Sequence, residues 1–573
     1  MMKVKGAEEA AKVAAKYLSP RYWRLDALER YVAGTQYDGR ADWFAGVDKP
    51  LLERAPCVNY PIAAIAIESN VDLCLGEGRY PTLTTYASED DEDHDPEFGL
   101  DEDDSETFDK FLHRLQDQAS LRTVAREALE AAQATGTAVT VCSVQRGRVV
   151  AQLVRAKWCS PTFDHAHPDV VAKLEVRYPY TETFRTPDGW AQRCMLYRRV
   201  IDAERDVVYQ PAPARDDGAE PVWTEDPVKS TTHGLGFCPV VWYRHLPPCS
   251  TVGEIDGRAI HDGLLSLIDG LNFGLSQRHR AALYATDPQF VEIGVDVDAN
   301  PAPTGQTPRV IVKDDRGGVF GLEGGGPARR KGPGIVWRYE NPAAKVEMLT
   351  LPGDALKATD DNCKDLRDKL CESLGVVLSD PNSMRHAAAL SGKALAILHA
   401  RQTARVDKIR DDFGEHWLLA VVDMLLRIVH RVRSGIYLGG LADVLPILDR
   451  FEREVAHEDG TRAEWMPPRI ELLWGDYFPS TSEEDAASVK LAVDARDAGL
   501  ITSAMALERL RTVFKFGSAA EVLEAVQREK AEATGRMHVE STIPPPNGEQ
   551  DPADSSYPPP PIPKAPRVPT IDG

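Results

Sequence analysis

The chain has 573 residues, of which 43% are hydrophobic and 27% charged, with a formal net charge of −22. That length allows several domains. The acidic balance argues against a protein that grips nucleic acid tightly, because such binding needs clustered Lys and Arg to displace counterions.

No stretch reaches the roughly 18 uninterrupted apolar residues that span a bilayer, so no membrane partner is expected. The most apolar run, Trp417 to Val429, is broken by Asp423 and Arg427. The start, Met1 to Gly6, lacks the apolar core of a secretory leader. Nine cysteines are scattered without any Cys-x-x-Cys pair: Cys57, Cys74, Cys142, Cys159, Cys194, Cys238, Cys249, Cys363 and Cys371. This is neither a disulfide framework nor a zinc pattern, and it fits assembly in a reducing cytoplasm.

Residues 7–34 carry a helical pattern with Tyr17, Tyr22, Trp23, Leu25, Leu28 and Tyr31 on the apolar side. Ser19-Pro20 splits it, with Ser19 as the cap of the second helix, Pro20 at its first position and Gly34 as the stop. Ala55 to Pro61 reads as a turn, and Ile62–Leu75 as a helix ending at Gly76. The run from Glu89 to Glu106 holds twelve carboxylates and no Lys or Arg. Like charges repel, so it is expected to be a solvated loop; a calcium loop is disfavoured because the EF-hand spacing and its central glycine are missing.

Residues 107–135 are helical. From Thr137 the period changes to two: Ala138–Cys142 should pair with Val149–Val154 across the Gln145-Arg146-Gly147 turn. Leu174–Tyr178, Cys194–Ile201 and Val207–Tyr209 extend an antiparallel sheet, which makes the region α+β. Ile260, Leu264, Leu267, Ile268, Leu271 and Leu275 mark a helix over 257–283. Residues 288–352 are Gly- and Pro-rich, with short strands expected at Gln289–Ile293, Arg309–Val312, Ile335–Tyr339 and Val346–Leu349. A charged helix follows over 354–374, stopped by Gly375. After the loop 376–390, one helix from Ser391 to about Arg433 would extend roughly 60 Å. A further helical stretch covers 483–533. From Ile543 onward the composition is proline-rich, as in a disordered tail.

The usual signatures of catalysis are missing. Ser391-Gly392-Lys393-Ala394 lacks the upstream glycine and the hydroxyl of a phosphate-cradling Walker loop, and Ser391 reads instead as a helix cap. There is no His-Glu-x-x-His and no Gly-x-Ser-x-Gly. His261-Asp262 and His279 read as polar-face residues of a packing helix. Gly324-Gly325-Gly326 with Arg329-Arg330-Lys331 reads as a hairpin tip with a solvated basic patch. Asp354, Asp360, Asp361, Asp365 and Asp368 alternate with Lys357, Lys364, Arg367 and Lys369. Spacings of three and four favour ion pairs within or between helices over paired catalytic carboxylates. No catalytic, metal-binding or cofactor-binding residue is assigned, and no cofactor is expected.

Taken in order, several passages resemble the portal proteins of tailed double-stranded DNA bacteriophages, over roughly residues 10–535. Val58-Asn59-Tyr60 leads to a helix ending Leu73-Cys74-Leu75-Gly76. Gly136-Thr137-Ala138-Val139 opens the sheet. Leu235-Gly236-Phe237-Cys238-Pro239-Val240-Val241 is similar to the strand before the first stem helix. Leu264–Gln277, with Leu267-Ile268-Asp269-Gly270-Leu271-Asn272, is similar to that helix. Leu390-Ser391-Gly392-Lys393-Ala394-Leu395 resembles the start of the family's long helix. Trp474-Gly475-Asp476 and Ala498-Gly499-Leu500-Ile501-Thr502-Ser503 resemble its closing segment.

The resemblance implies an α+β portal fold: a wing (1–256), stem helix 1 (257–285), a clip (286–352), stem helix 2 (353–375), a channel loop (376–390), a long wing and crown helix (391–433), a crown (434–535) and a proline-rich tail (536–573). It implies a homo-oligomeric ring, usually a dodecamer, at one capsid vertex of the virion, assembled in the host cytoplasm. The implied partners are the terminase large subunit, a head-completion or adaptor protein, the major capsid and scaffolding proteins, and double-stranded DNA that passes through without being held tightly. Asn382, Ser383, Met384, Arg385 and His386 would line the channel as its loop. Arg329, Arg330 and Lys331 would lie in the clip and contact partners. Two other readings compete: a cytosolic helical scaffold or adaptor without DNA passage, and a nucleic-acid-processing enzyme.

Overall fold

The computed structural model describes residues 7–38, 56–85, 100, 102–186, 189–246, 255–286, 289–293, 311–313, 319–321, 345–349, 353–377, 399–433, 436–457, 460–465, 467–477 and 482–498, with positions 502, 506 and 526. The chain divides into two compact units, Met1–Pro479 and Ser480–Gly573.

The first unit opens with α1 (Ala7–Ala15) and α2 (Pro20–Ala33). The break between them is the one the sequence predicts. Ser19 Oγ accepts from the Tyr22 amide, Pro20 is the first helical residue, and Gly34 closes the helix in the left-handed region at φ 71°. Next comes α3 (Ile62–Leu75), then a short strand, β1 (Thr82–Thr85).

The end of the acidic run is helix where loop was expected. Its last residues belong to α4 (Glu102–Gln118), where carboxylates at a helix N-terminus meet the unpaired amides favourably. Asp104 also pairs with Arg450 at 2.5 Å. Residues 89–99 lie outside the described residues. The helical stretch 107–135 is likewise two helices, because Ser120 turns left-handed at φ 52° and starts α5 (Leu121–Thr135) at a new angle.

The β region follows: β2 (Thr137–Gln145), β3 (Arg148–Val154), β4 (Cys159–Phe163), β5 (Val171–Thr186), β6 (Gly189–Ile201), β7 (Arg205–Val208), β8 (Ala212–Pro213), β9 (Thr231–Thr232) and β10 (Val240–Arg244). It is entirely antiparallel but forms two sheets. One has the order β10-β2-β3; in the other, β4-β5-β6-β7-β9 run in order with β8 on β6. The hairpin expected between β2 and β3 is present with Gln145 opposite Arg148. Arg146 and Gly147 at its tip both have positive φ, 52° and 76°, the conformation whose twist suits a two-residue hairpin.

The three-stranded sheet is a wall between two cores. Successive side chains of a strand point to opposite faces. Accordingly Ala138 and Cys142 of β2, with Val241 and Tyr243 of β10, join the core shared with α3, α4 and α5. Val139 and Val141, with Val240 and Trp242, join the second core against Leu25 and Leu28 of α2. Thr140, fully buried, accepts a hydrogen bond from Trp417 Nε1 at 3.0 Å, so its hydroxyl oxygen is satisfied.

The helix expected over 257–283 begins later, as α6 (Leu265–Thr286). Residues 257–264 are turn and extended chain instead. Gly257 passes against the backbone of Gly136 and His245, and Gly263 is left-handed at φ 84°. Ile260 donates its amide to Gln133 O at 3.0 Å rather than to a helical neighbour. His261 and Asp262 are therefore loop residues. His261 is buried, with Nε2 at 3.2 Å from Leu28 O, and Asp262 pairs with Arg24 at 3.0 Å.

The strands β11 (Gln289–Ile293), β12 (Ile311–Lys313), β13 (Val319–Gly321) and β14 (Lys345–Leu349) follow. β11 pairs with β14 and β12 with β13. Three of the four expected strands are found, the second shifted by one or two residues; 335–339 lies outside the described residues. α7 (Gly353–Leu374) ends at Gly375, φ 66°, as expected.

The single rod expected over Ser391–Arg433 is not a uniform α-helix. The described part consists of α8 (Ala400–Phe413), a π-helical turn (Gly414–Leu419) and α9 (Ala420–Val432); 391–398 lie outside the described residues. The wide turn has a packing cause. It stacks Phe413 on Trp417 at 4.7 Å and 9°. It also sets Gly414 where a side chain would meet Leu472 and Trp474. Sequence periodicity gives no hint of it.

After α9 come α10 (Leu441–Asp449), the hairpin β15 (Glu452–His457) and β16 (Gly460–Trp465), and β17 (Ile470–Leu473). The sequence reading had no strands here. β17 pairs with β1, from almost four hundred residues earlier (Thr82 opposite Leu473). In the second unit, α11 (Ser482–Asp497) buries Ala492 beside Val489 and Ala506. The rest of the helical stretch expected to 533, and the proline-rich tail, lie outside the described residues, positions 502, 506 and 526 apart.

Candidate functional site

The two residue sets singled out from sequence, Asn382 to His386 and Arg329, Arg330 and Lys331, lie outside the described residues. The described chain presents the element that would carry both: the pair α6 and α7. The two helices pack antiparallel, since Gly274 faces Cys363 while Arg278, further along α6, pairs with Asp360, further back on α7, at 2.6 Å. A Cβ on Gly274 would sit 3.0 Å from Cys363 Sγ, so the glycine sets how closely the helices approach. Beyond the ends of the pair, β11 and β14 join antiparallel, so the chain leaves on α6 and returns on α7.

α7 buries only a narrow stripe. Cys363, Leu370 and Leu374 are buried, whereas Asp361, Lys364, Asp365, Asp368 and Lys369 are exposed. The charged spacing forms ion pairs along the helix, Asp360–Lys364 and Asp365–Lys369, both 2.7 Å. The hydrogen bond from Lys364 holds the Asp360 carboxyl below its usual range.

α6 is anchored to the N-terminal segment by polar groups that the sequence reading did not assign. Ser276 Oγ accepts both the Cys57 and Val58 amides at 3.0 Å. Asn272 Oδ1 accepts the Tyr60 amide at 2.8 Å and its amide group reaches Asn59 Oδ1 at 3.1 Å. Tyr31 and Tyr37 donate to the two oxygens of Asp269 at 2.7 and 2.5 Å. Burial, then the bond to Asp269, pushes the Tyr37 hydroxyl up to about 12. Both Asn272 and Ser276 are fully buried, and these bonds to the turn at 56–60 satisfy their side chains. The signal was present as Val58-Asn59-Tyr60, but its partner lies over two hundred residues away.

A second polar group resembles a catalytic relay and is not one. His245 Nδ1 lies 3.2 Å from the Tyr243 hydroxyl, which donates to Asp412 Oδ2 at 2.5 Å. His245 is fully buried, and burial holds its imidazole down at about 3, so it stays neutral. Burial raises the Asp412 carboxyl and the Tyr243 hydroxyl. His245 and Tyr243 are closed off from solvent and Asp412 alone reaches the surface, so the trio works as a strut between β10 and α8.

Among the described residues no cluster of His, Cys, Asp or Glu could hold a metal ion. The described cysteines are free, and burial pushes Cys74, Cys142, Cys159 and Cys238 up to about 12, far from the thiolate form. No described helix is long and apolar enough to cross a membrane. No protein-family profile matches the chain, and no characterised protein matches it at a significant level.

Proposed function

We propose that this chain is a portal-type subunit. Copies close into a ring at one capsid vertex, and double-stranded DNA passes through the central hole during packaging and ejection. The observation that carries the reading is the out-and-back pair α6 and α7. It leaves an α+β body, runs to a small β-module closed by β11 and β14, and returns. A helix that buries a narrow stripe and exposes charge on its remaining faces leaves those faces free for a neighbour to cover. Neighbouring copies bearing the same alternating charges supply complementary surface, as a closed ring of identical subunits allows.

In this reading the β-module between α6 and α7 meets the terminase large subunit and later a head-completion or adaptor protein. The body faces capsid and scaffolding proteins. The acidic balance favours free passage: a wall that bound duplex tightly would stall it, and repulsion screened within about 8 Å prevents sticking.

The test is an electron micrograph of the purified full chain, with mass measured in solution. Rings of about a dozen subunits are expected. A stable monomer or dimer at every salt and protein concentration tried would sink the reading in favour of a helical adaptor. ATP hydrolysis by the purified chain would redirect it to an enzyme.

A further inference from the structure

In a chain with so many carboxylates, most described arginines have one as a partner. Three that do not are brought together. Arg114 lies on α4, Arg146 sits at the tip of the β2–β3 turn and Arg148 opens β3; all three are exposed, and none has a carboxylate partner among the described residues. Asp117, one turn along α4, makes no ion pair with Arg114 among the described residues.

Between them stands Tyr437, 80% exposed. Its backbone is pinned at both ends. The Tyr437 amide donates to Gly147 O at 2.8 Å, and its carbonyl accepts from Gln118 Nε2 at 2.7 Å. The other end of the same glutamine, Oε1, accepts the Val149 amide at 3.1 Å. Arg114 runs beside Gly439 and Gly440, two and three residues on from the tyrosine. Three elements distant in sequence are thus fastened so that the backbone of an exposed tyrosine lies against the turn carrying Arg146, next to Arg148, with Arg114 beside the glycines that follow it.

We infer that Arg114, Arg146, Arg148 and Tyr437 form a contact site for the phosphate backbone of duplex DNA. Guanidinium is the side chain best matched to phosphate, because its fork gives two parallel charge-assisted bonds. A tyrosine beside it adds apolar contact to sugar and a hydroxyl to phosphate. An acidic peptide would use the arginines but leave the ring idle. The choice of DNA over such a peptide also rests on the reading of the chain as a DNA-channel subunit. With three phosphates neutralised against an overall acidic surface, the contact is local, weak and strongly salt-dependent. It suits DNA that must rest against the protein and leave again.

The test uses the purified full chain and a short fluorescein-labelled duplex of random sequence, followed by anisotropy from about 50 to about 200 mM salt. Three phosphate contacts predict a slope of log affinity on log salt of about −3. The triple variant Arg114→Ala, Arg146→Ala, Arg148→Ala should weaken binding by about tenfold or more at low salt and flatten the slope towards zero. Tyr437→Ala should weaken binding several-fold with the slope unchanged. All four side chains are exposed, and unchanged melting of the variants verifies that the fold is intact. An oligoglutamate peptide serves as the second probe. The site is refuted if the triple variant binds duplex like the parent, if neither probe binds the parent, or if oligoglutamate binds at these arginines as tightly as duplex does. Rings in the micrographs without binding at these residues would overturn the contact site alone. Binding by a chain that never forms rings would overturn the portal reading and leave the site standing.

Discussion

Arg21 and Asp256 offer the sharpest test of how the first unit is held together. Arg21 Nε and Nη2 each reach an oxygen of Asp256 at 2.6 Å, and Nη1 donates to Ala156 O at 2.9 Å and Cys159 O at 2.6 Å. Asp256 also accepts from Thr137 Oγ1 at 2.9 Å. Its side chain is 6% exposed and that of Arg21 21%, so water screens the pair little. One guanidinium therefore joins α2, the turn before β4, and the segment before α6. Arg21→Ala leaves a buried carboxylate unpaired and two carbonyls without donors, a loss of about 4 kcal/mol. At about 2.1 cal/mol/K per residue, a unit running from Met1 to Pro479 unfolds with an entropy of about 1 kcal/mol/K, so melting should fall by about 4 °C. Arg21→Lys keeps the charge but loses the fork, and should fall by about half as much. The double variant Arg21→Met with Asp256→Leu removes both charges and should recover most of the loss, because an unpaired buried charge costs more than an apolar pair. Scanning calorimetry reads all three. A shift below about 1 °C for Arg21→Ala, or a double variant no better than the single, would refute the reasoning.

Three further outcomes follow from the same geometry. His245 titrates near 6.5 when unfolded and about 3 when folded, so between those values the unfolded chain holds a proton that the folded chain does not. Its contribution is intact above pH 6.5 and is lost as pH falls, by about 3 kcal/mol at pH 4. Melting measured against pH should fall less steeply in His245→Gln, and parallel profiles would disprove this. Ser276→Ala removes the one acceptor that the Cys57 and Val58 amides have among the described residues, at about 1–3 kcal/mol. Hydrogen exchange at those two amides should accelerate at least tenfold relative to α3; unchanged protection would show that the clamp is not what holds the turn. Gly136→Ala puts a side chain at φ 87° into the backbone of Gly257. A loss of about 2–4 kcal/mol is expected, read as a lower melting temperature, whereas parent-like melting would mean the crossing can open.

Local signals were legible where a few neighbouring residues decide the outcome. Ser19-Pro20 and Gly34 fixed α2 because cap, first position and stop act within one turn. Arg146-Gly147 between two alternating runs fixed the β2–β3 hairpin, and the three- and four-residue charge spacing of α7 fixed its ion pairs. Composition likewise set the acidic balance. Other features depended on contacts between distant segments. The start of α6 moved because the Arg258 amide donates to His245 O, just after β10, and the Ile260 amide to Gln133 O of α5, instead of building a helical turn. The long helix acquired a π turn because β17 packs against Gly414, and β17 exists because β1 offers it a partner. Nothing near Asn272 and Ser276 in the sequence marks them as the partners of the turn at 56–60. Likewise, nothing in the order of residues marks Arg114, Arg146, Arg148 and Tyr437 as neighbours. Backbone propensity and capping act over a few residues and can be read from text, whereas a polar group's partner or a strand's mate is chosen by whichever segment arrives beside it in space.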